Sequence, residues 1–322
     1  MITKKMPLWV LLMLFCPTVA AEGGTLQTKK PPVEQKFRGT GELTARRKDI
    51  ITEAEAHYQI GMAYLREPQN TGQAVEYLER AVVLNGRNAE YHFRLAEAHT
   101  ADFPFAGLFR KPFIAAKVKN ELELAVKYDP ITPAYREGLI EYLVNARAIF
   151  GGSYAKAHEH ATALVNTDPY LGTLARAGIS AEEGELEKAE KLFKKAIIMR
   201  PASWAGYQRL GGFYMTVRRI GEAIVQFKKY ITVSPDMADG YERIGQAFVR
   251  QRMYDEAIDA YRTAMQKDPS LASLLFRIAQ LYEFKGSKRE ALRHYEQYLS
   301  VVPSGPIATD ARLKIRELSG YN

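Results

Sequence analysis

A glycine-rich segment and several histidines are the residues of this chain whose spacing could support chemistry. Segment 151–153 is Gly-Gly-Ser, but no strand pattern precedes it and no lysine follows it directly, so a turn is favoured over a phosphate-binding loop. His158 and His160 are two residues apart, which places them on different faces of a helix. His92 and His99 are seven residues apart and could lie on the same face of a helix.

These histidines are nevertheless better explained by packing than by metal binding. His57, His92 and His99 occupy positions that hold large packing residues in later parts of the sequence. The sequence contains no phosphate-loop motif, no nucleophile elbow, no zinc-protease helix motif and no pair of cysteines. We therefore expect a non-catalytic protein without a cofactor or metal site.

The composition is that of a globular protein. The chain has 322 residues, of which 47% are hydrophobic and 25% charged, with 45 Lys and Arg against 37 Asp and Glu and a single cysteine. These values exclude wholesale disorder, a collagen-like chain and a disulfide scaffold.

The first residues have the pattern of an export signal. Lys4 and Lys5 precede an apolar run over 7–16, and small residues follow at 19–21. The run is about ten residues, half of what a bilayer-spanning helix needs. We predict a signal peptide over 1–21 and a periplasmic or secreted protein, with a membrane tether through an uncleaved N-terminus as the alternative. Cys16 follows Phe15 rather than a small residue, which disfavours lipidation.

Residues 22–50 are basic and lack apolar periodicity. They contain seven basic and four acidic residues and are predicted to form a flexible leader that could touch a membrane. The remaining chain has 36 basic and 33 acidic residues, a balance that implies no nucleic-acid-binding surface.

The rest of the chain repeats itself. Pro201, Pro235, Pro269 and Pro303 follow one another at a constant interval, and small and aromatic residues recur between them at helical spacing. In three successive units the recurring residues are Gly211, Tyr214, Ala223 and Phe227; Gly245, Phe248, Ala257 and Tyr261; and Ala279, Tyr282, Ala291 and Tyr295. Gly or Ala lets the two helix axes approach, and Pro ends the second helix.

This pattern resembles the tetratricopeptide repeat, a helix-turn-helix unit whose length equals the interval between these prolines. The resemblance implies an all-α, right-handed superhelical solenoid of about seven repeats over 51–303, with an insertion at 100–111. A capping helix and tail would occupy 304–322.

The resemblance also implies where a partner would bind, because the first helix of each repeat, helix A, lines the inner surface of such solenoids. The candidate partner-binding residues are Tyr58, Glu90, Phe93, Glu97, Glu137, Glu141, Gln208, Glu242, Gln246, Phe276 and Gln280. The first half of this surface is acidic with aromatics, which suits a basic or amphipathic extended segment.

A second candidate is the insertion, which is rich in phenylalanine. Phe103, Phe105, Phe109 and Phe113 fall within eleven residues. Loops avoid such apolar density unless they pack or bind. We favour packing over a neighbouring helix, and the alternative is an anchor for a partner or a membrane surface.

The sequence therefore predicts a scaffold that binds an envelope protein or peptide. An accessory subunit of an envelope polysaccharide-assembly or transport system is the alternative, and an enzyme or metal-binding protein has less support. The oligomeric state is not indicated.

Overall fold

The computed structural model describes residues 40–66, 70–146 and 148–320, and every regular element within them is helical. The helices are α1 (Thr40–Leu65), α2 (Thr71–Leu84), α3 (Ala89–Asp102), α4 (Lys111–Tyr128), α5 (Pro133–Asn145), α6 (Tyr154–Thr167), α7 (Pro169–Glu182), α8 (Leu186–Met199), α9 (Trp204–Thr216), α10 (Ile220–Val233), α11 (Ala238–Arg250), α12 (Tyr254–Lys267), α13 (Ser273–Phe284), α14 (Lys288–Val301) and α15 (Pro306–Ser319). Short 3₁₀ helices cover Phe103–Phe105 and Ala148–Phe150. The predicted all-α fold of successive helix pairs is confirmed.

Helix α1 begins earlier than the sequence pattern indicated. Residues 40–50, which we assigned to a flexible leader, form its first turns. Their Glu, Leu, Ala, Arg and Lys residues have high helix propensity, so this segment needs no apolar face to be helical. The predicted signal peptide over 1–21 and the leader over 22–39 lie outside the described residues.

The chain folds as two compact units. Unit 1 ends at Pro169 and contains α1–α6, and unit 2 begins at Tyr170 and contains α7–α15. Within unit 1 each helix from α1 to α5 packs on the next, and within unit 2 the same holds for each helix from α8 to α14. Helix α7 shares its core with α8 and α9 through Tyr170 and Leu174.

Each helix pair in the second half of unit 2 crosses where a small residue meets a ring. A Cβ added to Gly211 in α9 would lie 2.5 Å from the ring of Phe227 in α10, and one added to Gly245 in α11 would lie 2.5 Å from the ring of Tyr261 in α12. Ala279 and Tyr295 occupy the same places in α13 and α14, and both are fully buried. The expected close approach is thereby confirmed.

The turns within the unit 2 repeats are also periodic, a feature that the sequence analysis missed. A residue with positive φ recurs at the interval of the repeat, at Gly184, Arg218, Arg252 and Gly286. The amide of the following residue bonds a carbonyl five positions earlier, as from Arg219 to Tyr214 at 2.8 Å. This is the Schellman arrangement that ends helices, and it turns the chain sharply into the second helix.

Unit 1 replaces this turn with insertions in two places. Residues 103–110 join α3 to α4, and residues 146–153 join α5 to α6. The predicted insertion at 100–111 is thus shorter than expected, because α3 runs to Asp102 and α4 begins at Lys111. Phe113 accordingly lies in the first turn of α4, not in a loop.

Helix α15 covers the apolar face of the last pair. Its Ala308 and Ala311 are fully buried and pack in one cluster with Tyr295 and Tyr298 of α14. Its Lys314 is half-buried and lies 3.7 Å from Glu283 of α13 and 3.1 Å from Glu317, while Arg312, Arg316 and Glu317 are exposed. Burial of Ala308 and Ala311 against the last pair is what a capping helix requires, and the capping role stays a prediction.

Two neighbouring glycines of α9, Gly211 and Gly212, should respond in opposite ways to substitution by alanine. Gly211→Ala should destabilise the protein by about 1–3 kcal/mol, because the methyl group overlaps the ring of Phe227. Gly212→Ala has open space within 4 Å and should stabilise by up to about 1 kcal/mol through helix propensity alone. Urea denaturation followed by circular dichroism would measure both changes, and equal effects would contradict the close-crossing model.

Candidate partner-binding surfaces

The unit 1 face consists of the helix A residues that sequence analysis selected there: Tyr58, Glu90, Phe93, Glu97, Glu137 and Glu141. Glu90 in α3 lies at its centre. The Tyr58 hydroxyl of α1 donates to Glu90 Oε1 at 3.2 Å, and the Tyr135 hydroxyl of α5 donates to Oε2 at 2.9 Å. One carboxylate therefore joins the helix A elements of three successive repeats.

The group also contains a cation, Arg94, which the sequence pattern did not single out. Its Nε donates to Glu90 Oε1 at 2.7 Å, and a terminal nitrogen donates to Glu97 Oε2 at 2.8 Å. Burial acts to raise the pKa of Glu90, but the hydrogen bonds from Arg94, Tyr135 and Tyr58 outweigh it and lower that pKa. The spacing of four from Glu90 and three from Glu97 was the available signal. This part of the face is less acidic than its glutamates suggest.

The aromatic members of the unit 1 face hold neighbouring helices together. The Tyr58 ring stacks on Tyr91 with centroids 4.9 Å apart, and the Phe93 ring lies 5.1 Å from Tyr135. Burial and the neighbouring Glu90 raise the pKa of Tyr58. Both rings are half-buried, so each contributes to packing as well as to the surface.

Two further glutamates lie on α5. Glu141 is exposed and Glu137 is half-buried. Glu141 supplies exposed negative charge on the unit 1 face, whereas Glu97 is two-fifths exposed but forms an ion pair with Arg94. These carboxylates can form ion pairs with lysine or arginine side chains of a partner.

The unit 2 face contains Gln208, Glu242, Gln246, Phe276 and Gln280. Its central group repeats the design of the unit 1 face, because Asp239 takes the place of Glu90 in the repeat. Asp239 Oδ2 accepts from Gln208 at 3.0 Å, from the Tyr230 hydroxyl at 3.2 Å and from Arg243 at 2.7 Å. Gln208 is thereby bonded to the next repeat.

The remaining residues of the unit 2 face divide between surface and core. Gln246 donates to Glu242 within α11 at 2.9 Å, and both are half-buried, as is Gln280. Phe276 packs edge-on against Tyr295 and Tyr298, at 5.3 and 5.7 Å between centroids. Phe276 is therefore mainly a packing residue.

A row of arginines on the helix A elements of unit 2 was also missed. Arg209, Arg243 and Arg277 follow one another at the interval of the repeat, so they occupy one repeat position. Arg243 is bonded to Asp239, as described above. The constant spacing was visible in the sequence, and Arg94 of the unit 1 face occupies the same repeat position as Arg243.

The phenylalanine-rich insertion contradicts the favoured packing hypothesis for three of its four rings. Phe103 packs edge-on against Phe150 with centroids 6.5 Å apart, and the Lys111 ammonium lies 5.3 Å from the Phe103 ring centroid. Phe105, Phe109 and Phe113 are exposed. Phe103 packs because Phe150, in the other insertion of unit 1, lies against its ring.

Models described as tetratricopeptide repeat match residues 54–88, 238–271 and 272–304. The chain contains tetratricopeptide repeats. Such repeats generally bind proteins or peptides and are typically non-catalytic, so the fold supports a protein-interaction scaffold.

Solved structures with the same fold include human IFIT1. The IFIT1 dimer with PPP-AAAA is 19% identical, with a TM-score of 0.52 over 82% of this chain and 63% of the IFIT1 chain. The dimer with m7Gppp-AAAA is 17% identical, with a TM-score of 0.52 over 86% of this chain and 69% of that one. The chain thus spans less than two thirds of the first of these structures. No curated protein sequence matches it significantly.

The glycine-rich segment between the two helices of the third tetratricopeptide repeat is a turn, as expected. Gly151 has φ of 82°, and the Ser153 side chain accepts from the Lys156 amide at 3.3 Å, which caps α6. A Cβ on Gly152 would overlap the Ala146 carbonyl oxygen. The Ser153 side chain therefore serves as the N-cap of α6.

The histidines of the first repeats lie within the packing, as predicted. His92 and His99 in α3 are buried, and the His57 ring lies 5.8 Å from that of Tyr77. His92 Nδ1 is 2.5 Å from Glu121, and its Nε2 is 3.1 Å from the Gly86 carbonyl oxygen. Across the described ranges, no group of three or more His, Cys, Asp or Glu side chains could hold a metal ion. None of the described helices is long and apolar enough to span a bilayer.

The stability contributed by the pair of His92 and Glu121 should depend on pH. Burial opposes protonation of His92, but the hydrogen bonds to Glu121 and Gly86 raise its pKa above the ordinary value. The protonated ring therefore stabilises the fold below the unfolded pKa, and this contribution is lost as pH rises through the folded pKa. Glu121→Gln should cost about 1–2 kcal/mol near pH 6 and much less near pH 9.

Urea denaturation across that range would test the pair, with Glu123→Gln in the same helix as the control. Glu123 is about half exposed and lies 3.8 Å from Lys119, so its loss should matter little at any pH. A cost for Glu121→Gln that stays constant with pH would contradict a protonated His92.

Proposed function

We propose that this chain is a non-catalytic scaffold that binds a basic or amphipathic extended segment of another protein along the unit 1 face. The observation that carries the proposal is the set of hydrogen bonds to Glu90. Because Tyr58, Tyr135 and Arg94 all bond it, the helix A elements of three repeats are held in one arrangement. A rigid array of this kind presents side chains without an ordering cost on binding.

The accessible carboxylates define the partner chemistry. Glu97 and Glu141 lie on successive helix A elements and retain surface exposure, with Phe93 half-buried on the same helix as Glu97. Lysine or arginine side chains of a partner would pair with the carboxylates, and its apolar side chains would contact the ring. Opposite charge would mainly accelerate encounter, while the contact with Phe93 would lengthen the lifetime of the complex.

The ligands in the IFIT1 structures do not suit the unit 1 face of this chain. PPP-AAAA and m7Gppp-AAAA are polyanionic, whereas the unit 1 face presents Glu97, Glu137 and Glu141. Like charge disfavours their binding there.

The proposed partner is a protein of the bacterial cell envelope, since the N-terminal pattern predicts export. An accessory role in an envelope polysaccharide-assembly or transport system is the second form of this proposal, and it would use the same surface. A tether through an uncleaved N-terminus would change only how the protein is held.

Charge reversal on the unit 1 face provides the functional test. Glu97→Lys combined with Glu141→Lys should reduce capture of the partner, measured by crosslinking in the native envelope and mass spectrometry, by about tenfold or more. Glu76→Lys combined with Glu159→Lys is the matched control and should leave capture unchanged, because both residues are exposed on second helices, α2 and α6, and the change in net charge is the same. Equal capture by the two variants would exclude the unit 1 face.

The export proposal has its own test. Removal of residues 1–21 should produce a mature chain that begins at Glu22, because residues 19–21 resemble a signal-peptidase cleavage site. Intact-mass measurement of the protein from its native source would show this start. A mass that retains residues 1–21 would instead establish the tethered form.

A further inference from the structure

The two insertions of unit 1 meet and form one surface. The Phe103 ring contacts Phe150, and the Tyr142 hydroxyl lies 2.8 and 2.5 Å from the carbonyl oxygens of Ala115 and Phe150, within donating distance of both. Burial raises the pKa of Tyr142 to about 12, which keeps the hydroxyl protonated as a donor. The segment around Phe150 is therefore held against α4 and the first insertion.

This surface exposes large apolar side chains. The exposed fractions are 57% for Phe105, 77% for Leu108, 89% for Phe109, 73% for Phe113 and 79% for Ile149. The first four fall within nine residues, whereas single exposed apolar residues are ordinary on protein surfaces. A cluster of this kind is typical of an interaction site.

Positive charge accompanies the cluster. Residues 103–120 contain Arg110, Lys111, Lys117 and Lys119 and no acidic residue. Lys117 pairs with Glu79 at 2.7 Å, and Lys119 lies 3.8 Å from Glu123. Arg110 is exposed and has no acidic partner within the described part of the chain. The positive charge nearest the exposed rings therefore remains uncompensated.

The shape of the surface indicates that its partner is a bilayer rather than a peptide. A peptide-binding site needs a groove lined by the apolar anchors. The cleft beside the cluster has a volume of about 380 Å³. Ile149 and Phe150 line it together with Lys119, Asn120 and Glu123, but none of the three exposed phenylalanines does. Phe105, Phe109 and Phe113 lie outside it. Exposed rings beside cations are the arrangement that a lipid interface accepts, because the rings enter the headgroup region while the cations contact phosphates.

We propose that residues 103–113, together with Ile149, dock unit 1 on an anionic lipid bilayer. Phe105, Leu108, Phe109 and Phe113 enter the interfacial region, and Arg110 and Lys111 contact lipid phosphates. This role does not depend on the proposed function of the unit 1 face, which concerns other residues.

Vesicle co-sedimentation of the full chain would test the proposal. With vesicles of phosphatidylcholine containing about 30 mol% phosphatidylglycerol, the triple variant Phe105→Ala, Phe109→Ala and Phe113→Ala should bind about tenfold more weakly than the unchanged chain. Val83→Ala combined with Ile198→Ala is the matched control, because these residues are 84% and 80% exposed elsewhere on the protein. Arg110→Gln with Lys111→Gln should weaken binding and reduce its salt dependence.

A local readout separates the insertion from the N-terminal segment. Both variants carry the same native tryptophans, so Phe109→Trp should show a blue shift of tryptophan emission on vesicles that exceeds the shift of Ile198→Trp. No vesicle binding by the unchanged chain would overturn the proposal, as would equal binding by the triple variant and its control. Loss of protein capture, with vesicle binding intact, in the triple variant would assign these rings to a protein partner instead.

Discussion

The close crossing of two helices at a residue without a bulky side chain is the constraint on which this structure depends. In α9 and α10, the ring of Phe227 occupies the space that a Cβ on Gly211 would need, and the same relation recurs at Gly245 and Tyr261. Each pair can bury its apolar face only because the axes approach this closely. Each pair also presents an apolar face to the next pair, so the same close crossing recurs along the unit.

Polar contacts between repeats use a second recurring position, near the start of helix A. Glu90 and Asp239 both accept hydrogen bonds from neighbouring repeats and from an arginine four residues later. These carboxylates hold the repeats in register, and only part of their charge remains for a ligand. Stability and recognition are therefore coupled on the same surface, and the glutamates outside the network, such as Glu141, are the ones most available to a partner.

The insertions of unit 1 show how a repeat array acquires a second kind of surface. The Schellman turn of unit 2 takes the chain from one helix to the next with few residues. Where 103–110 and 146–153 replace that turn, the added residues pack on each other through Phe103 and Phe150 and leave the other rings exposed. The helix A faces and this ring cluster use different residues, so the two can act independently.

The sequence alone determined the helical repeat, the sites of close crossing and the ends of the second helices, because these depend on local propensity and on the constant spacing of the repeat. It also indicated that the histidines of the first repeats pack. The start of α1 at Thr40 was missed because helix propensity there acts without an apolar pattern. Only the tertiary structure decided that Arg94 neutralises part of the acidic face, that Phe276 packs while Phe105, Phe109 and Phe113 are exposed, and that Phe150 covers Phe103. These outcomes depend on which side chains distant helices bring together, and repeat periodicity does not specify the path of an insertion.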